Sequence, residues 1–421
     1  MSKPPHPKPP KGRMPPGKKG GRAAEPEGGQ AQGHEPLHAF AQARPQQGAL
    51  RAQAAVLGRG SPFQPLPEPP GRAPYRLDLA RLIPQQVAAM RDKGGMVLHM
   101  VGDTGGVRDP NPQTLVAQGL ERDAARPGAL GAPAFFYHLG DVVYFDGEAS
   151  QYYPQFYEPY DHYPLPMMGI PGNHDGDLFD NGKRVNPEPS LATFVRNFCA
   201  QAPGQHSPDA GDASRTAMIQ PNVYWTLLTP FATFVGLYTN VPEGGVVEKP
   251  QRDWLVGEMK SAATDQPLIV ALHHPPFSFD NDHSGSSAMS ALLAEAAQAA
   301  GRKPDIVFSG HVHNYQRFSV TDADGWLTPY IVAGHGGYHN LHKLPDVGGQ
   351  PVITPYSAAD APGVVLERYV DDRFGFLRLE IDASTITLES YTVPRAHESW
   401  SRRPRLYDRM RFNWRTRALS D

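Results

Sequence analysis

The sequence contains very little cysteine, and this limits the sites that it can build. Cys199 is the single cysteine among 421 residues. An intrachain disulfide needs two cysteines, and a cysteine-rich zinc site needs at least three. Both are therefore excluded, and sites for soft metals, which prefer thiolate ligands, are disfavoured. The lack of disulfides fits a reducing compartment.

Long apolar runs are also absent. No run approaches the roughly 18 residues that a transmembrane helix needs. The first residues lack the uninterrupted apolar core of a secretory signal. We therefore expect a soluble protein that is not exported and that resides in the cytoplasm.

The first 70 residues contain few side chains that could form a core. Pro, Gly, Gln and Ala dominate there, and residues 1–22 include seven Lys or Arg but no Asp or Glu. This composition predicts a disordered basic extension over residues 1–70. Such a tail can bind a nucleic acid or an anionic membrane surface weakly by Coulomb attraction. A tail whose charge serves only solubility is the simpler interpretation.

From residue 74 onward the pattern is that of a folded domain. Short apolar runs at 96–101, 134–139 and 268–272 are typical of buried strands. Runs with helical spacing, such as 113–125 and 287–300, lie between such segments. Because strands alternate with helices, the sequence predicts an α/β fold with helices on the faces of a sheet.

The end of the chain has a different pattern. Residues 374–381 and 385–391 look like two paired strands, which could close a second sheet. We expect one catalytic domain over 71–395 and a C-terminal extension over 396–421.

Polar motifs follow several of the predicted strands. They read VGDTGG, LGDVVY, IPGNHD, ALHHPP and SGHVHNYQR, and they contain Asp103, Asp141, Asn173, His273, His311 and His313. Taken singly, such an Asp is more often a turn or helix-cap residue, and such a His is more often a hydrogen-bonded core residue. Because such residues recur at the ends of several predicted strands, we expect their side chains to meet at one edge of the sheet.

These side chains are suited to a particular kind of metal site. Carboxylate, amide and imidazole groups bind borderline or hard metals such as Fe, Mn and Zn. Six or seven ligands are too many for one tetrahedral zinc. They suit two metals about 3.5–4 Å apart that share one carboxylate, an arrangement that polarises a phosphoryl oxygen and activates water. The pattern therefore predicts hydrolysis of phosphoesters.

The ordered motifs resemble those of the calcineurin-like metallophosphoesterases and, in detail, their purple acid phosphatase branch. The resemblance spans roughly residues 97–337. It implies a four-layer α/β/β/α sandwich and a specific set of metal ligands. The implied ligands are Asp103, Tyr144 and His313 for the first metal, Asn173, His273 and His311 for the second, and Asp141 as the bridge.

Tyr144 is the residue that distinguishes the branch. In the wider superfamily the first motif is usually Asp-x-His, but here the residue two after Asp103 is Gly105. The purple branch supplies the Tyr of Gly-Asp-x-x-Tyr instead, which is present as GDVVY. Because a phenolate is a hard, charged donor, the resemblance implies Fe(III) at the first site and Fe(II), Zn or Mn at the second. The alternative is that Tyr144 only packs against the aromatic run QYYPQFYEPY.

The same resemblance suggests the groups that handle protons and phosphate. It assigns His174, next to Asn173, to substrate binding or acid catalysis. His283 lies ten residues after His273, where plant-type members have a His that contacts substrate. Arg317 is expected to form a structural ion pair, with a phosphate contact as the alternative.

The expected reaction is attack of a metal-bound hydroxide on the phosphorus of a small phosphomonoester or a nucleotide. A phosphodiesterase that acts on a cyclic nucleotide or a phospholipid could use the same metal core. A non-catalytic phosphoryl-binding scaffold is the third alternative. All seven implied ligands are present, which favours an enzyme.

Overall fold

The computed structural model describes residues 41–42, 64–180, 183–398 and 403–420. The predicted tail over 1–70 lies almost wholly outside these residues. Of its first 63 residues, the structure describes the short strand Ala41–Gln42, which pairs in parallel with Gly285–Ser286. Another short pair joins Phe179–Asp180 to Lys183–Arg184.

Two large β-sheets form the framework of the described residues. From one edge to the other, the strands of the eight-stranded sheet are Val364–Val370, Tyr315–Thr321, Leu327–Ala333, Ile306–Ser309, Leu268–Leu272, Thr233–Gly236, Trp225–Leu228 and Arg76–Asp78. Those of the seven-stranded sheet are Ala418–Ser420, Arg405–Asn413, Thr385–Thr392, Gly375–Asp382, Gly95–Val101, Phe136–His138 and Met167–Gly169. Four neighbouring strands of the eight-stranded sheet, from Leu327–Ala333 to Thr233–Gly236, run parallel, and so do the last three strands of the seven-stranded sheet. The carboxyl ends of the parallel strands in each sheet therefore lie at one edge.

The alternation of side chains along the strands explains why the two sheets stack. In Leu268–Leu272, Ile269 and Ala271 belong to the core that both sheets share, whereas Leu268, Val270 and Leu272 belong to a separate cluster with helices. Successive side chains of a strand point to opposite faces, so a continuous apolar run is expected where both faces are covered.

Helices cover the two outer faces of the sandwich. The α-helices are Pro84–Lys93, Asn111–Ala124, Ala149–Tyr152, Asn173–Gly176, Ala192–Phe198, Lys249–Ser261 and Ser287–Ala300. Shorter helical turns are Leu79–Arg81, Pro208–Ala210, Ala396–Glu398 and the π-helical turn Tyr153–Tyr157. The last two α-helices pack on the eight-stranded sheet, and Asn111–Ala124 packs on the seven-stranded sheet. The predicted four-layer α/β/β/α sandwich is confirmed.

Local signals set the limits of the helix Ser287–Ala300. At its start, the Ser286 hydroxyl accepts a hydrogen bond of 3.2 Å from the Met289 amide, which satisfies an otherwise unpaired N–H. At its end, Gly301 adopts a left-handed conformation with φ 66°. The predicted bounds for this helix, and those for the strand Leu268–Leu272, agree with the structure.

Residues after 396 add strands to the seven-stranded sheet. Arg405–Asn413 pairs with Thr385–Thr392, and Ala418–Ser420 pairs with Arg405–Asn413. The sheet therefore continues past the boundary at 395 that the sequence suggested. Asp408 in this region accepts hydrogen bonds from Arg317 of the other sheet at 2.7 and 3.1 Å, with both side chains buried. Arg317 thus forms the expected structural ion pair, and the pair joins the two sheets.

Within the described residues, no helix is both long and apolar enough to cross a bilayer.

Candidate metal centre

The predicted ligands lie just beyond the carboxyl ends of strands from both sheets, in loops or, for Asn173, at the start of a short helix. Asp103 and Asp141 follow strands of the seven-stranded sheet, and His273 and His311 follow strands of the eight-stranded sheet. The backbone amide of His311 donates to Asp103 Oδ2 at 2.9 Å, and His273 Nδ1–H donates to the Leu139 carbonyl at 2.8 Å. These bonds join the two sheets at the site.

The backbone is strained at three of these positions. Asp103, Asp141 and His311 have φ values of 58°, 53° and 68°, in the left-handed region that non-glycine residues rarely adopt. Such strain costs on the order of 1–3 kcal/mol per residue and tends to occur at functional sites.

One group of donor atoms comprises a carboxylate, a phenol and an imidazole. Tyr144 Oη lies 3.4 Å from Asp103 Oδ1 and 3.3 Å from His313 Nε2, and the latter two atoms are 3.5 Å apart. Ligands bound at about 2.0–2.2 Å around one tetrahedral ion would be separated by about 3.3–3.6 Å. The three atoms therefore have the spacing of ligands around a common ion.

A second group is richer in nitrogen. His311 Nδ1 is 3.0 Å from Asn173 Oδ1, and His273 Nε2 is 3.3 Å from Asp141 Oδ2. Asp141 Oδ2 and His273 Nε2 are buried, and neither has a hydrogen-bond partner of good geometry among the described residues. Leaving buried polar atoms unpaired is costly, so a ligand for both atoms is expected. A cation between them would satisfy both, and the donor set fits one.

The electrostatics of the centre favour a bound cation. Burial raises the pKa of Asp103 well above its usual value. The nearby Asp141 carboxylate raises this pKa further, whereas His273 lowers it. Burial lowers the pKa of His273, but Asp141 and Asp103 outweigh it and raise the value to about 9. Two buried carboxylates that lie close together need positive charge beside them.

Gln155 holds Tyr144 in place, and the lack of a side chain at Gly105 leaves room for the tyrosine ring. The Tyr144 amide donates to Gln155 Oε1 at 3.0 Å, and Gln155 Nε2 donates to the Tyr144 carbonyl at 2.8 Å. A Cβ atom at Gly105 would lie 2.6 Å from Tyr144 Cδ2 and 2.4 Å from Gln155 Oε1. The glycine that replaces the superfamily His therefore leaves the space in which the tyrosine ring sits.

The Tyr144 ring also packs. It stacks on Tyr338 with 4.1 Å between ring centroids, and Tyr338 lies outside the run QYYPQFYEPY that the alternative interpretation named. The Tyr144 hydroxyl nevertheless points at Asp103 and His313. Burial and the nearby carboxylates Asp141 and Asp103 raise the pKa of Tyr144 well above its usual value. A metal that binds this oxygen must therefore displace its proton.

His174 and His283 lie at the edge of the centre. The His174 amide donates to Asp141 Oδ1 at 2.9 Å, and its Nδ1–H donates to the Phe145 carbonyl at 2.8 Å. A carbonyl can only accept, so Nε2 of the half-buried ring remains for a substrate. His283 Nδ1 is 3.3 Å from Glu243 Oε1, and its ring centroid is 4.4 Å from that of His311. Burial lowers the pKa of His283, but Glu243 reverses this and raises it to about 9.

Several supporting residues were not found from the sequence. Asp175 accepts hydrogen bonds from the amides of Val142 and Gly172 at 3.1 and 2.8 Å, and so connects the loop of Asp141 to that of Asn173. Gly172 and Asp175 have the spacing of a helix N-cap residue and the residue at position N3. That local signal could have identified Asp175 from the sequence. Glu243 lies in a glycine-containing turn with no motif of its own, so no local signal indicates its position.

The family comparison agrees with the geometry. The family model described as calcineurin-like phosphoesterase matches residues 96–315, slightly more than half of the 421-residue chain. The match begins in the strand that precedes Asp103 and ends just after His313.

Curated relatives from plants carry purple acid phosphatase names. Purple acid phosphatase 5 of Arabidopsis thaliana is 27% identical over 251 residues, which cover 55% of this chain and 53% of the relative. Purple acid phosphatase 1 of Ipomoea batatas is 25% identical over 265 residues, which cover 57% and 50% respectively. The chain thus spans about half the length of these relatives.

A solved structure shares the fold. The purple acid phosphatase PPD1 from yellow lupin (Lupinus luteus) seeds aligns with a TM-score of 0.51 and 17% identity. The alignment covers 76% of this chain and 54% of the lupin chain.

Proposed function

Because the chain belongs to the calcineurin-like phosphoesterase family, we propose that it is a metal-dependent hydrolase of small phosphomonoesters or nucleotides. The main support is the pair of buried atoms Asp141 Oδ2 and His273 Nε2, which face each other at 3.3 Å without a well-formed hydrogen bond. They belong to the second of two groups of donor atoms, each of which could hold an ion.

The proposed metal centre has two parts. Asp103, Tyr144 and His313 would hold the first ion, and Asn173, His273 and His311 would hold the second. We assign the Asp141 carboxylate to both. Ions bound there would polarise the phosphoryl oxygens and lower the pKa of a water molecule.

We assign Fe(III) to the first part and Fe(II), Zn or Mn to the second. The phenol and carboxylate oxygens of the first part suit a hard ion, whereas the second part adds two imidazoles. One relative, from Arabidopsis thaliana, is named Fe(3+)-Zn(2+) purple acid phosphatase 12 and is 22% identical over 191 residues.

Two histidines serve the substrate in this proposal. In its doubly protonated form, His174 would donate the Nε2 proton to the leaving oxygen and return to the neutral ring, with Nδ1–H held on the Phe145 carbonyl. His283 lies beside His311 and contacts a phosphoryl oxygen. Asp280 orders the loop of His283 by accepting from its backbone amide at 2.8 Å.

A panel of metals and substrates tests the proposal. The purified chain is loaded with Fe, Mn or Zn, singly and in pairs, and is offered an aryl phosphomonoester, its diester counterpart and a nucleotide. Turnover that depends on metal and is fastest on the monoester or the nucleotide supports the proposal. Faster turnover of the diester favours the phosphodiesterase alternative. Tight phosphate binding without turnover on any substrate favours the scaffold.

The proposed partner of the basic tail needs a separate test, since residues 1–40 lie outside the described residues. Removal of residues 1–40 should abolish salt-sensitive binding to nucleic acid or anionic vesicles if the tail makes that contact. Unchanged binding would contradict it. Cytoplasmic residence stays a prediction.

A further inference from the structure

The three histidines of the proposed centre differ in what their second ring nitrogen contacts. His273 Nδ1 donates to the Leu139 carbonyl at 2.8 Å, and His313 Nδ1 donates to the Asn340 carbonyl at 3.0 Å. His311 instead directs Nδ1 towards Asn173, and its Nε2 lies 3.4 Å from the carboxylate of Glu243. Two of the histidines are thus fixed by backbone carbonyls, and the third faces a negative charge.

The turn that contains Glu243 is closed by a hydrogen bond within it and anchored by one from outside. The Gly245 amide donates to the Pro242 carbonyl at 2.9 Å, and the Ser286 hydroxyl donates to the Gly244 carbonyl. A Cβ atom at Gly245, where φ is 77°, would come within 3.1 Å of the His274 ring. The carboxylate of Glu243 is therefore presented to His311 by a fixed turn, although 57% of its side chain is exposed.

We propose that Glu243 is a positioning residue that fixes His311 with Nδ1 towards the second metal and strengthens metal binding there. The inference rests on the proposed function, because it requires a metal at that site. When Nδ1 binds a metal, the single proton of the neutral ring is on Nε2, and a carboxylate is its strongest available acceptor. A carboxylate partner also makes the imidazole a better electron donor.

The same carboxylate lies 3.3 Å from His283 Nδ1. Glu243 therefore connects a metal ligand to a residue that contacts substrate in the proposed function. An effect through His311 must be separated from one through His283.

The test uses the protein loaded with Fe and Zn, and measures both metals by elemental analysis after dialysis against a graded series of chelator. Glu243→Ala should lose Zn at about 10–100-fold lower chelator activity than the wild type, the usual effect of removing the partner of a ligating His. Its Fe content and visible tyrosinate absorption should not change. The chelator activity at which Glu243→Gln loses Zn should lie between those of the wild type and Glu243→Ala. The glutamine amide oxygen can still accept a hydrogen bond from His311. The matched control is Glu248→Ala, an exposed residue farther along the same segment, which should behave as the wild type.

A double variant separates an effect through His311 from an effect through His283. In His283→Ala, the additional change Glu243→Ala should still weaken Zn retention by a similar factor. Loss of the effect in that background, unchanged Zn retention in Glu243→Ala, or equal loss of Fe and Zn would each overturn the inference. A wild-type protein that retains only one ion would instead contradict the proposed binuclear function, and the inference would fall with it.

Discussion

The two halves of the proposed centre are built differently. The first half consists of Asp103, Tyr144 and His313, which are all buried, and its tyrosine is held from behind by Gln155. The second half includes the half-buried Asn173, and its ligand His311 faces the exposed carboxylate of Glu243. One half is closed and rich in oxygen, and the other is more open and rich in nitrogen.

This difference suggests a division of labour. A closed site with a phenol and a carboxylate retains a hard ion, because its ligands cannot easily rearrange. A more open site, with His283 beside its ligand His311, leaves room for substrate and for exchange of its metal. The following variants test whether the halves are independent, from the largest expected effect on the centre to the smallest.

Asp141→Asn should affect both halves at once. Its carboxylate is the proposed bridge, so we expect loss of both ions. Activity should fall by more than the ~10²–10³-fold that removal of one charge-stabilising group costs. Metal content and turnover are measured together, and the exposed Asp346→Asn is the control. Retention of one full equivalent of metal would show that Asp141 serves only one half.

His174→Ala should impair proton transfer without changing metal content. On an alkyl phosphate, kcat should fall by about 10²–10⁴-fold, the usual contribution of a general acid. The loss should be much smaller on an aryl phosphate whose leaving group needs no proton. His162→Ala is a suitable control, since the His162 side chain is 85% exposed. An equal loss on both substrates would exclude the acid role.

Tyr144→Phe should affect only the first half. The iron-loaded variant should show no visible tyrosinate absorption and should bind the first ion at least about 10-fold more weakly, since loss of even a supporting group costs this much. Zn in the second half should be retained. Gly105→Ala should also weaken binding of the first ion, because the added Cβ would displace the Tyr144 ring. The control is Tyr153→Phe, which removes a hydroxyl that contacts Asp212 at 2.8 Å. Unchanged colour in Tyr144→Phe would show that the tyrosine only packs.

Asp408→Asn should affect neither half. It breaks the buried pair with Arg317, which should lower the free energy of unfolding by about 3–5 kcal/mol. Urea unfolding measures this loss. Turnover per metal-loaded molecule should stay the same, and Arg317→Met combined with Asp408→Leu should recover part of the stability. A changed metal content in folded Asp408→Asn would show that the sheet contact reaches the centre.

Much of the fold could be predicted because its signals are local. The strand Leu268–Leu272 and the helix Ser287–Ala300 are continuous patterns with clear ends, and both agree with the structure. The strand Arg405–Asn413 was missed because only one of its faces is buried, with exposed residues alternating along it. Its partner Thr385–Thr392 and the ion pair to Arg317 are what identify it as part of the sheet.

The sequence by itself determined which side chains are available for the centre. It placed the Asp, Asn and His residues at successive strand ends, and the exchange of a superfamily His for Gly105 indicated Tyr144. Only the tertiary structure decided which nitrogen of His311 faces Asn173 and which faces Glu243, 68 positions away in the chain. It also decided that Gln155 holds Tyr144. The reason is that periodicity and turn chemistry act over a few residues, whereas these contacts depend on how two sheets and their loops pack against each other.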